Sequence, residues 1–90
     1  MRRAAKIDGN QDQLVDAYRD LGCTVTSLAG VGRGVPDLLV SCRGHLALVE
    51  VKQPKGKLRP LQEAFRASWP VRVVRSVEDV IAHVQATRAA

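Results

Sequence analysis

The sequence predicts a small mixed α/β domain with elements in the order α-β-β-β-α-β-α. Two observations carry that prediction. Apolar residues recur at helical spacing near residues 11–21, 60–68 and from 77 onward, and at strand spacing in between. Glycines and prolines fall at the joints, in "AGVGRGVP" (29–36) and "QPKGKLRP" (53–60). A chain of 90 residues makes one domain, 1–90, around one core.

The elements follow in order. "QDQLVDAYRDL" (11–21) sets Leu14, Val15, Tyr18 and Leu21 on one helical stripe, with Asn10 as N-cap and Gly22 as a left-handed stop. "CTVTSL" (23–28) is β-branched and alternating, which makes it a strand. After the glycine-rich loop, "DLLVS" (37–41) and "LALVEVK" (46–52) are strands around a short turn at "CRGH". Pro60 opens a helix running to about Ser68, with Leu61, Ala64 and Phe65 inward. "VRVVR" (71–75) is the last strand. "SVED" (76–79) is a Ser-x-x-Asp cap signature, and the helix it opens has Val77, Val80, Ile81 and Val84 on its apolar side.

Composition narrows the function. The 14 Lys and Arg against 9 Asp and Glu give a net charge of +5, which favours an anionic partner, nucleic acid before a membrane surface. Tyr18, Phe65 and Trp69 are the whole aromatic set, too few for a module that stacks unpaired bases. Cys23 and Cys42 form no CxxC and have no histidine at finger spacing, so two reduced, part-buried thiols in a cytosolic protein are expected. His45, in a turn, and His83, on a helix, have no ligand partner at helical spacing and read as structural. "MRRAAKIDGN" is no signal peptide, and no segment reaches transmembrane length.

The chemistry concentrates at "LVEVKQ" (48–53). In a strand Leu46, Leu48, Glu50 and Lys52 share one face, so grease gives way to a charge pair, while Ala47, Val49 and Val51 line the other. A hairpin centred on Arg43-Gly44 pairs Cys42 with His45 and sets Asp37 opposite Glu50. Two carboxylates about 5 Å apart repel, and a divalent cation between them removes that cost. Hard oxygen ligands suit Mg²⁺ or Mn²⁺. Lys52 can then orient a water or stabilise the charge that develops on a reacting phosphate.

At these residues the chain resembles the PD-(D/E)XK nucleases: Pro36-Asp37, then Glu50-Val51-Lys52. "GRGVPDLLV" and "LRPLQEAF" look like the VRR-NUC branch, whose stand-alone members are phage and bacterial proteins related to Holliday-junction resolvases. The resemblance covers nearly the whole chain and implies a restriction-endonuclease-like αβββαβ core with a mixed sheet plus a C-terminal helix. It implies that Asp37, Glu50 and the Val51 carbonyl hold Mg²⁺ or Mn²⁺, that Lys52 is the catalytic lysine, and that Gln62 helps place the water or the lysine. The family usually carries a glutamate on its first helix. Gln11 stands there, a neutral amide, which leaves the number of metals, one or two, open; Asp8, about one turn earlier, is an alternative acid.

The function expected is metal-dependent hydrolysis of DNA phosphodiester bonds, selective for branched or four-way forms, by a bacterial cytoplasmic protein of phage or prophage origin. Arg33 among Gly30, Gly32 and Gly34, and Lys55, Lys57 and Arg59 after the proposed site, are expected to meet phosphates, with Gln11 beside them. Each basic group has a plainer reading as a solvated charge. A 90-residue domain offers little surface for gripping a junction, so a homodimer is expected, with Phe65 and Trp69 as core or dimer contact. The alternatives are a DNA-binding module that has lost turnover, which Gln11 favours, and a subunit of a larger nuclease or packaging assembly.

Overall fold

The computed structural model describes residues 9–89. Helix α1 (Gln11–Asp20) is followed by strands β1 (Thr24–Ser27), β2 (Leu38–Cys42) and β3 (His45–Val51). Helix α2 (Pro60–Ser68), strand β4 (Val71–Val74) and helix α3 (Val77–Ala89) complete the order expected from the sequence. The strands form one sheet, β1-β2-β3-β4, antiparallel except for the parallel β3–β4 pair.

Alternation along the strands divides the sheet into two unlike faces. Val25, Leu38, Val40, Val49, Val51 and Val74 turn to one side and are buried there with Leu14 and Tyr18 of α1 and Val80 and Val84 of α3. The opposite side carries Leu46, Leu48, Glu50, Val71 and Val73, and α2 lies over it. Helix α2 has no buried residue: Leu61 is 62% exposed, Ala64 is exposed and Phe65 is half-buried, against the inward packing expected. Trp69 is 55% exposed and so does not belong to the core. The amphipathic stripe exists, but the fold supplies no second layer to cover it.

The ends of α1 and α3 follow local chemistry. Gly22 (φ +89°) closes α1: Cys23 N–H donates to the Tyr18 carbonyl and Gly22 N–H to that of Arg19. Leu21 is the C-cap residue and has left the helical stripe, which is why it is exposed. At α3 Asp79 N–H donates to Ser76 Oγ (3.2 Å), while the Asp79 carboxylate accepts Arg75 N–H (2.8 Å). Asn10 does not cap α1. Its amide donates to the Lys52 carbonyl (3.2 Å) and the Arg75 carbonyl (3.1 Å), tying α1 to the ends of β3 and β4.

Cys23 and Cys42 are not free thiols; they form a disulfide. The β1–β2 register sets Thr24 opposite Ser41, so the next position along each strand sets Cys23 against Cys42, Cα atoms 4.5 Å apart. That is the spacing of a directly facing, closely spaced antiparallel pair. Both cysteines are buried.

His83 packs against Tyr18, whose hydroxyl donates to Nδ1 (2.7 Å) when the imidazole is neutral. Burial, with the nearby Arg72 charge, pushes the His83 pKa below its ordinary 6.5. Burial pushes the Tyr18 phenol up, so it stays a donor. The unfolded chain therefore takes up the His83 proton first as pH falls. Stability is expected to be complete above pH 6.5 and to decline as the pH drops from there toward the folded pKa. Thermal melts between about pH 8 and 5 check this: His83→Gln should flatten the profile, and an unchanged profile would contradict the assignment.

Candidate active site

The site is positioned by a two-residue hairpin. Arg43 (φ +54°) and Gly44 (φ +81°) both adopt left-handed backbone, as a type I′ turn requires. That turn pairs Cys42 with His45 and carries the register along to Leu38 and Val49. Asp37 and Glu50 come next after that last pair, and both line one cleft, on the side where the sequence register sets them opposite each other. Val51 N–H donates to Asp37 Oδ2 (2.8 Å), so the Asp37 carboxylate completes a ladder position in place of a backbone carbonyl.

Pro36 explains why. Carried two residues past the last pair, Leu38 and Val49, the register would set Val51 against Pro36, and the Val51 N–H does point to that side. A proline has no N–H to return, so the ladder offers nothing from that position to the Val51 carbonyl.

Glu50 and Lys52 are buried, 3% and 5% exposed, on the face under α2. Lys52 Nζ lies 3.7 Å from Glu50 Oε2. Gln62 Nε2 donates to the same oxygen (2.9 Å), while Gln62 Oε1 accepts Arg59 N–H (2.8 Å). The Gln62 amide is thus fixed in one orientation by the start of α2, and it touches Glu50, not Lys52. Gly34 makes this docking possible: it has φ +82°, and a Cβ there would run into the Leu61 carbonyl.

A cleft of about 410 Å³ opens over these groups and is lined by Arg33, Asp37, Glu50, Lys52, Arg59 and Gln62. Arg33 enters from the glycine loop in left-handed backbone (φ +58°). Lys55 and Lys57 do not line the cleft; both are exposed on the loop beyond Lys52. Gln11 is 5% exposed, on the inward side of α1, and its Oε1 is buried with no hydrogen-bond partner among the described residues. Asp8 lies outside the described residues. Among the described residues no group of three or more His, Cys, Asp and Glu side chains gathers to hold a metal; the acids lining the cleft are Asp37 and Glu50. Such hard oxygen donors fit Mg²⁺ or Mn²⁺.

A larger open groove, about 850 Å³, lies along the β4 edge and is lined by Leu46, Leu48, Arg66, Trp69, Val71 and Arg72 among others. It carries no Asp or Glu. Phe65 and Trp69 stack at its rim, centroids 5.7 Å apart.

A solved structure described as a VRR_NUC domain superposes with a TM-score of 0.63 at 36% sequence identity, over 83% of this chain and 89% of that one. The chain belongs to the VRR-NUC family. The family's fold is that of PD-(D/E)XK-type nucleases, which generally use divalent metals. No protein-family model matches the sequence, and no curated relative does. No helix among the described residues is long and apolar enough to cross a membrane.

Proposed function

We propose that this VRR-NUC protein is a DNA endonuclease that hydrolyses phosphodiester bonds with Mg²⁺ or Mn²⁺, with a preference for branched or four-way DNA. The observation that supports it best is the Asp37–Glu50 juxtaposition at the hairpin's open end, with the Lys52 ammonium 3.7 Å from Glu50. Asp37, Glu50 and the Val51 carbonyl would hold the ion. Bound there, the ion would neutralise charge on the scissile phosphate and ease departure of the 3′-oxygen.

The protein's own groups do the rest. Lys52, shielded from solvent, orients the attacking water or stabilises charge on the phosphate oxygens. Gln62 is a positioning residue: it holds Glu50 through one bond and the Arg59 backbone through another. Arg33 and Arg59 stand at the cleft to take phosphates on either side of the cut. We place a twofold dimer contact at the exposed Leu46 and Trp69 of the open groove, with Phe65 stacked on Trp69, which would set two sites on one branched substrate.

Incubation with linear, flapped and four-way DNA tests the reading. Cutting is expected with Mg²⁺ or Mn²⁺ and not with EDTA, and fastest on branched DNA. DNA binding without cutting in either metal would leave the alternative favoured by the neutral Gln11, a binding module without turnover.

The role of Pro36 gives a separate expectation. Pro36→Ala restores an N–H opposite the Val51 carbonyl, and Mn²⁺ affinity measured by calorimetry should fall about tenfold, or 1.4 kcal/mol. Unchanged affinity would remove the carbonyl from the ligand set.

A further inference from the structure

Arg75 follows the last residue of β4, and its guanidinium does not face solvent alone. Its Nη1 donates to the Gln53 carbonyl (2.9 Å) and the Gly56 carbonyl (2.5 Å), 22 and 19 residues away in sequence. Those carbonyls belong to one turn, closed by Gly56 N–H on the Gln53 carbonyl (2.9 Å). The Arg75 backbone is held as firmly. Asp79 takes its N–H and Asn10 its carbonyl, and the same Asn10 amide holds the Lys52 carbonyl. One side chain therefore fixes the turn that begins directly after Lys52 and carries Lys55, with Lys57 one residue beyond Gly56.

We infer that Arg75 is a positioning residue for nucleic-acid binding: it holds the 53–56 turn so that Lys55 and Lys57 present their ammonium groups to phosphate. The inference rests on reading the chain as DNA-binding. A guanidinium suits the task because its planar fork gives several donors from one rigid group, whereas an ammonium is a point charge on a flexible stem. Nη1 is committed to carbonyls and so acts through the turn; direct phosphate contact by Nε or Nη2 would instead give equal losses in both backgrounds of the test below. Without it the turn is ordered only when DNA binds, and that ordering weakens binding.

The test is a double-mutant cycle on the full chain, read by anisotropy of a fluorescent DNA duplex in EDTA, where no cleavage occurs. Lys55→Ala with Lys57→Ala should lower the salt slope of log affinity by about 1.8, two contacts at about 0.9 each. Arg75→Ala should weaken binding about tenfold in the parent and by less than about twofold in the lysine-free background. If Arg75→Ala does not fold, as judged by circular dichroism, Arg75→Lys replaces it, keeping the charge but not the fork, with the same coupling expected. Equal losses in both backgrounds, or no loss in the parent, overturn the inference. No binding by the parent protein overturns the DNA-binding reading and the inference with it, and is distinguished by appearing before any substitution is made.

Discussion

Glu50→Gln and Lys52→Ala are each expected to reduce DNA cleavage more than about 10³-fold while duplex binding in EDTA stays within about threefold of the parent. Both side chains are buried under α2, and neither stands among the exposed basic residues that are placed to grip phosphate. Glu50→Gln keeps the shape and much of the hydrogen bonding but removes a charge from the proposed ligand set. Lys52→Ala leaves both acids and removes the ammonium beside them. Losing one partner of a buried pair also destabilises the fold, so melting temperatures must accompany the rates. Folded variants that cut at the parental rate would end the proposed chemistry. Folded variants that stop binding DNA would move these groups from catalysis to recognition.

Opening the disulfide is expected to have the largest effect on stability. Cys23–Cys42 closes a loop with a sequence separation of 19, for which chain-entropy estimates give about 3 kcal/mol. In a domain of this size that corresponds to a fall in Tm of roughly 12–24 °C. The double variant Cys23→Ser, Cys42→Ser should show it, and so should the parent protein under reductant. The closed loop contains the glycine segment, Arg33 and Asp37, so the crosslink also restrains the connection that carries them. Equal melting of oxidised and reduced protein would mean that the β1–β2 ladder alone sets the native geometry.

How much of this was legible in the sequence depended on loop length. Arg43-Gly44 allows one tight turn, and that turn alone fixed the β2–β3 register, hence the meeting of Asp37 and Glu50. The segment between β1 and β2 is longer and irregular, so nothing in it fixed the register that sets Cys23 against Cys42. Helix α2 was legible as a helix, to the residue at its start, because Pro60 suits a first turn. Its exposure was not legible, because periodicity reports which side is apolar and not whether anything covers it.

Asn10 and Arg75 show the same limit. Asn10 before a helix reads as a cap, yet its amide serves two carbonyls from distant strands. Arg75 ends the strand expected at 71–75, with no local sign that it binds a turn some twenty residues upstream. Contacts of this range leave no local pattern. Gln62 was singled out only through the resemblance to PD-(D/E)XK nucleases; its partner, Glu50 and not Lys52, needed coordinates.

Crystals grown with Mn²⁺ and measured for anomalous scattering would examine the metal site without recourse to activity. A single strong peak bonded to Asp37, Glu50 and the Val51 oxygen is the expected density. Manganese seated away from both acids, in a protein that still degrades DNA, would contradict it.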